Sequence, residues 1–271
     1  MNAIAPILTH TERPCDAALR RLKSLPIEPI MSCRWERVLF ITLEVDKAAL
    51  QREVPFTLDL YHGRALMTLV AFTVCGMHPG IGGRLTKALF RPWQIGGLFN
   101  VRTYVRCQGE AAIYLLAEWL GSRVNLHLGP LSYGLPYRLG RLSYQHDEAR
   151  GSATGEIRDH YTKRRVAYHA EFGDEFAPST PGSIDEFLLE RYTCVTHFRG
   201  LRRFFRIWHP DWPQARAEVK HFDNDLLVAN WPWMRDAKIV SANYSTGFDD
   251  VWLGRPHLLR GQPRSAFLKL P

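Results

Sequence analysis

Lysine is scarce in this sequence. Of 35 basic residues only Lys23, Lys47, Lys87, Lys163, Lys220, Lys238 and Lys269 are lysines; the rest are arginines. They are spread along the whole chain, so a net charge of +8 does not by itself mark a nucleic-acid tract. The five cysteines, Cys15, Cys33, Cys75, Cys107 and Cys194, are odd in number and scattered, with no Cys-x-x-Cys. That argues against a disulfide framework and a zinc ribbon and leaves reduced, mostly buried thiols. No apolar run approaches the roughly 18 residues of a membrane helix, so no membrane partner is expected. Met1 to Arg13 has no continuous apolar core and carries Glu12, which is unlike a secretory leader. A frayed tail on a cytoplasmic protein is expected.

The common chemical motifs are missing too. There is no phosphate-binding loop, and Gly80-Ile81-Gly82-Gly83 stops short of a dinucleotide fingerprint because Leu85 stands at the third glycine position. There is no His-Glu-x-x-His, and none of the eleven histidines has a second one two residues on, the spacing of ligands on a strand. No Gly-x-Ser-x-Gly elbow occurs. Asp249 and Asp250 are adjacent, so on a strand they face opposite ways and do not form a carboxylate dyad. Neither a metal nor a cofactor is expected.

What is present is the composition of a globular protein, 46% hydrophobic and 23% charged, patterned mainly as strands. Residues 1–30 read as a partly flexible lead-in with a short helical pattern, 31–255 as one domain and 256–271 as a tail. Val38 to Leu43 is a buried run, and Asp46 is an N-cap for one or two helical turns. Leu58–Tyr61 and Ala65–Val74 flank His62-Gly63-Arg64, a hairpin signal. Met77 to Gln94 is rich in Gly, Pro and Arg and reads as a long connection. Phe99–Val105 and Ala111–Leu120 pair across Gln108-Gly109-Glu110, and 121–137 is an irregular crossover. Strands follow at 138–146, 153–160 and 165–172. Ser183 with Glu186 is a capping-box pattern opening a short helix. Glu190–His197 and Arg202–Trp208 form a strand pair, Pro213–Val219 reads as helical, and Ser241–Trp252 supplies the last strands. The class is α+β, mostly antiparallel β, as a barrel or half-open sandwich with short peripheral helices.

The most informative stretch is Phe99-Asn100-Val101-Arg102-Thr103-Tyr104-Val105. Strand side chains alternate between faces. Val101, Thr103 and Val105 share one face, while Asn100, Arg102 and Tyr104 share the other. Either the polar face is an ordinary wet face of an antiparallel sheet, or it lines a cavity. Glu118, in an apolar strand, must be paired or shifted in pKa if it is buried. Arg102 is its natural partner across the hairpin, and the open alternative is a solvent-facing Glu118. His209, in the turn Trp208-His209-Pro210-Asp211-Trp212-Pro213, is either an acid–base group or a packed hydrogen-bonding residue. Arg199 to Arg206, with its interleaved Phe204 and Phe205, fits a solvated basic hairpin better than a single-strand nucleic-acid track.

The order Asp59-x-Tyr61-x-Gly63-x-Ala65, Leu69-Val70-x-Phe72, Phe99 to Val105, Pro136-Tyr137, Phe187-Leu188-x-Glu190-Arg191-Tyr192 and His209-x-x-Trp212-Pro213 resembles the YqjF-like family of bacterial proteins of unknown function, over roughly 33–252. The resemblance implies the fold of acetoacetate decarboxylase, a β-barrel with an internal cavity. Enzymes of that superfamily form a Schiff base through a lysine in a Pro-Lys-Lys-Leu segment. The similar segment here is Leu135-Pro136-Tyr137-Arg138-Leu139, with Tyr137 in place of the nucleophile and Arg138 in place of its cationic neighbour. Tyrosine makes no imine and arginine is not a usable nucleophile. The expected function is therefore binding of a small organic acid, with Asn100, Arg102, Tyr104, Tyr137 and Arg138 as the polar ring. The alternatives are an imine-free lyase or hydrolase-type enzyme using Tyr137 or Glu118 as acid or base, and a non-catalytic nucleic-acid- or protein-binding module using the 199–206 surface. Nucleic acid is the less favoured partner, and a homo-oligomer is left open.

Overall fold

Continuous buried runs in the central strands and alternating ones in strands such as Ser152–Asp159 and Arg165–Phe172 build thirteen paired strands in a computed structural model that describes residues 12–80 and 94–259. In chain order they are β1 (Met31–Val45), β2 (Thr57–Leu58), β3 (Ala65–Pro79), β4 (Gly96–Cys107), β5 (Glu110–Leu120), β6 (Tyr137–Asp147), β7 (Ser152–Asp159), β8 (Arg165–Phe172), β9 (Thr193–Phe198), β10 (Leu201–Trp208), β11 (Gln214–Asp223), β12 (Lys238–Leu253) and β13 (His257–Leu258). Short helices fill the connections: α1 (Pro14–Lys23), α2 (Lys47–Glu53), α3 (Asn125–Ser132), α4 (Ile184–Leu189) and α5 (Asp225–Asn230). Two of them start as their sequences dictate. Asp46 accepts a hydrogen bond from the Ala49 amide at 2.6 Å, and Ser183 accepts one from the Glu186 amide at 3.2 Å.

Three local expectations need correction. Pro213–Val219 is not helical. Gln214 onward forms β11, which pairs with β12 and then with β8, and these pairings override the helix-favouring Ala, Arg and Glu. The turn at His62-Gly63 closes a bridge between Tyr61 and Arg64, but the strand before it pairs with β4 instead of β3. Of the long connection at Met77–Gln94, the first residues extend β3 to Pro79; residues 81–93 lie outside the described residues, as do 1–11 and 260–271.

The pairing makes a ring-like sheet with two circuits sharing one wall. One circuit runs β5-β6-β7-β8-β11-β12-β1-β3-β4 and returns to β5. The other leaves β5 for β9 and β10 and rejoins through β12, β1, β3 and β4. β5 is the fork: Glu118–Leu120 run parallel to Tyr137–Leu139, and Ile113–Tyr114 run parallel to Cys194–Val195. Because side chains alternate, the shared wall serves both interiors. Leu39, Ile41, Leu69, Val101, Ala117 and Trp119 belong to a core with residues of β7 and β8. Phe40, Val70, Phe72, Leu98, Ile113 and Leu115 belong to a second cluster with Cys194, Phe205 and Ile207.

Candidate functional site

The second interior is not filled. It holds a cavity of about 500 Å³ walled by β1, β3, β4, β5, β9 and β10 and flanked by α3. Strand register places its polar groups together. Phe40 pairs with Val70, Val70 with Asn100, Asn100 with Glu118, and Glu118 with Tyr137. This row crosses the fork, and Asn100, Glu118 and Tyr137 all line the cavity, with Arg102 one pleat deeper along β4. Four buried polar atoms on this lining have no hydrogen-bond partner: Asn100 Oδ1, Arg102 Nε, Glu118 Oε2 and Trp212 Nε1. Leaving such atoms unpaired costs roughly 1–3 kcal/mol each.

Arg102 does not pair with Glu118 as the hairpin suggested. A β-bulge puts Leu116 out of register, so that Val101 faces Ala117 while Arg102 faces Leu115. The bulge also turns Leu116 to the opposite face from Glu118, and it leaves Glu118 opposite Asn100. The Arg102 guanidinium instead lies 5.5 Å from the centre of the Phe40 ring and donates from Nη2 to the Leu188 carbonyl at 3.0 Å. No carboxylate among the described residues forms a salt bridge with it; it is a buried cation without a counter-ion.

The Leu188 carbonyl is held in place by the residues that carry the family resemblance. Arg191 Nη1 donates to Asp59 Oδ2 at 2.8 Å, and its Nε donates to the Phe187 carbonyl at 2.6 Å. Tyr61 packs against Phe187 with ring centroids 5.3 Å apart. Glu190 accepts from the Trp212 amide at 3.1 Å. The Tyr104 hydroxyl reaches Leu188 O at 3.2 Å and Thr68 Oγ1 at 2.6 Å. This framework fixes α4 and aims a backbone acceptor at Arg102.

Burial dominates the electrostatics. It lifts the Glu118 carboxyl from 4.5 to about 8, so the group is protonated at neutral pH. Burial, with Glu118 close by, raises the Tyr137 phenol well above its ordinary range. His209 is pushed down to about 4 by burial, and its Nδ1 lies 2.7 Å from the Pro210 carbonyl. The packed, hydrogen-bonded reading of His209 therefore applies. A carboxyl with a raised folded pKa binds its proton more tightly in the folded chain than in the unfolded one. Its contribution to stability is present below 4.5 and is lost as pH rises to about 8. Urea titrations of Glu118→Gln should show a shallower loss of stability across that window than the parent shows. A residual slope is expected from Glu190, which burial raises to about 7. Identical slopes for parent and variant would place the Glu118 proton elsewhere.

Of the residues singled out from sequence, Asn100, Arg102, Glu118 and Tyr137 meet at the cavity. Tyr104 and Arg138 do not line it. The Tyr104 ring is buried beside Phe187 and its hydroxyl is used on Leu188. Arg138 follows Tyr137 on a strand and so faces the other way, over the Trp119 and Trp231 rings and hydrogen-bonded to Asn230. In the basic stretch, Arg206 pairs with Glu110 at 3.1 Å and Arg202 sits over Phe56, so two of its charges have partners. Sequence reasoning missed Phe40, Trp212 and the Leu188 carbonyl. Trp212 stood out only as part of a turn, and a backbone carbonyl leaves no mark in sequence.

Comparison with solved structures gives the same architecture. The enduracididine biosynthesis enzyme MppR with HEPES buffer bound superposes with a TM-score of 0.62, at 16% identity over 85% of this chain and 88% of that one. An acetoacetate decarboxylase-like enzyme from Sphingomonas wittichii RW1 gives 0.58, at 12% identity over 86% and 94%. Identities this low show the fold alone. In sequence, the uncharacterized protein YqjF of Bacillus subtilis (strain 168) is 27% identical over 209 residues, which is 74% of this chain and 81% of that protein. Residues 32–247 match the model of DUF2071, described as an uncharacterized conserved protein, and the chain belongs to that family.

Proposed function

We propose that the ring-like sheet is a barrel around a ligand cavity, and that the cavity binds a small organic acid whose carboxylate rests on Arg102. The observation that carries this reading is the buried Arg102 cation, which faces the cavity with Nε unpaired and no anionic partner among the described residues. An uncompensated buried charge is costly, and a ligand carboxylate removes that cost through charge-assisted hydrogen bonds. The likeness to MppR, one structure of which is complexed with pyruvate, supports a carboxylate ligand in this fold. The proposed setting is cytoplasmic, in keeping with five free cysteines.

Imine chemistry is not part of the proposal. No lysine lines the cavity among the described residues; Lys163 lies by a separate surface depression. Borohydride treatment in the presence of a keto acid should give no covalent adduct by mass spectrometry, and a stable adduct on any lysine would show that a nucleophile does reach the cavity. A second reading, an imine-free enzyme, is favoured by one feature: the protonated Glu118 beside Tyr137 is poised as a general acid. Native mass spectrometry of the purified chain tests the binding reading. A co-purified acid is expected in the parent and not in Arg102→Met. A parent that carries none and binds no carboxylic acid when one is supplied would overturn it.

A further inference from the structure

From the layering of the cavity we infer that its ligand is an apolar monocarboxylic acid of medium to long chain, and not a short keto acid. This rests on Arg102 being the carboxylate site. On the strand walls the cavity's polar side chains are confined to one end, the row Asn100–Glu118–Tyr137 with Arg102 and Trp212 beside it; at α3 the lining adds Asn125, Ser132 and Tyr133, which are hydrogen-bonded to Ser122, the Leu128 carbonyl and the Gly254 carbonyl. Beyond that row every layer along the strands is apolar. Val38, Phe72 and Leu98 come first, then Trp35 and Val74, then Met31, Met77 and Ile95. From Asn100 to the level of Gly96 the wall extends by roughly 13 Å at the rise of an antiparallel strand. A volume of about 500 Å³ falls in the range that encloses a drug-sized molecule and would leave most of the wall untouched around a three-carbon acid.

The number of charges limits the ligand to one carboxylate. Arg102 is the one cation on the lining among the described residues, and the neighbouring Glu118 and Tyr137 are neutral hydrogen-bonding groups at neutral pH. A second carboxylate would be carried along apolar walls with nothing to pair it. The surface by α3 exposes large apolar side chains among its polar ones, Arg123, His127 and Ser132. Leu128 lines the cavity and is still 49% exposed, and Val124 and Leu131 are exposed close by. α3 packs directly on the polar row: a Cβ at Gly129 would lie 2.2 Å from the Tyr137 ring.

The test is calorimetric titration of the delipidated full chain with straight-chain acids from acetate to tetradecanoate, together with pyruvate, decanedioate and dodecanol. Affinity should rise by about fourfold for each methylene buried, until the cavity is full. Decanedioate should bind at least tenfold more weakly than decanoate, and dodecanol more weakly than dodecanoate. Val74→Phe, which narrows an outer layer, should move the best acid to a shorter chain while acetate is unaffected. Acetate or pyruvate binding as tightly as decanoate would overturn the apolar-tail inference and leave the organic-acid reading standing. Dodecanol binding as tightly as dodecanoate, with Arg102→Lys binding dodecanoate like the parent, would overturn the carboxylate site itself. Failure of every acid would overturn both.

Discussion

Asp59→Asn should lower the melting temperature by about 6–20 °C, the largest stability effect expected from a single polar substitution here. Asp59 and Arg191 form a pair whose side chains are only 9% and 4% exposed. Asparagine keeps an acceptor but removes the counter-charge, which leaves the Arg191 guanidinium buried and uncompensated. Breaking such a pair from one side costs about 3–5 kcal/mol, and each kcal/mol moves the melting temperature of a domain near this size by roughly 2–4 °C. The neighbouring Arg106 supplies the control. It reaches the other oxygen of Asp59 at 2.9 Å, but its side chain is 54% exposed. Arg106→Ala should cost no more than about 1 kcal/mol, as exposed ion pairs do. Thermal melts of the two variants side by side decide the matter. If Asp59→Asn melts within about 2 °C of the parent, the framework that positions Leu188 does not depend on this pair.

The second large effect is on binding. Arg102→Lys should weaken a bound carboxylate about ten- to a hundredfold, the equivalent of roughly 1.5–3 kcal/mol. Lysine keeps the charge but exchanges a planar fork for a point charge on a flexible stem, and it cannot serve Leu188 O and a carboxylate with one rigid group. The melting temperature should change little. Among the described residues the Arg102 side chain makes a single hydrogen bond, and the Tyr104 hydroxyl also reaches that carbonyl. Arg102→Met removes an unpaired buried charge and should melt at the same temperature or higher. A fall of several degrees in both variants, with folded material binding normally, would make Arg102 a brace for α4 and not a ligand group.

Much of this could be read from the chain because strands advertise themselves through alternation. The period of two in Phe99 to Val105 separated Asn100 and Arg102 from Val101 and Val105, and those two sets do face different interiors. The same rule failed farther on, because the bulge at Leu116 adds a residue without any turn-forming side chain to announce it. Carried on from Cys107–Glu110 without it, the register would set Glu118 opposite Phe99 on the other face; the bulge brings Glu118 opposite Asn100 and leaves Arg102 opposite Leu115, so the two share a face without pairing. Tyr104 failed differently: its face was right, but its hydroxyl is consumed by Leu188 and Thr68, contacts 84 and 36 residues away in sequence. Arg138 was carried by its neighbour's resemblance, yet consecutive strand residues point apart. Pro213–Val219 was misread because propensity is weaker than two flanking strands offering free hydrogen bonds.

The wall shared by the two circuits has a consequence for how such proteins diversify. On β3 and β4 the odd-numbered positions Leu69, Ala71, Phe99 and Val101 hold the chain together, and the even-numbered Val70, Phe72, Leu98 and Asn100 face the cavity. Selection for a new ligand can act on one parity while the other conserves the scaffold, so recognition and foldability are nearly independent traits of the same residues' neighbours. The separation is strict in one respect: inserting or deleting a single residue in either strand exchanges the two sets. Descendants of this architecture should therefore vary by substitution along these strands and by length only in the connections between them.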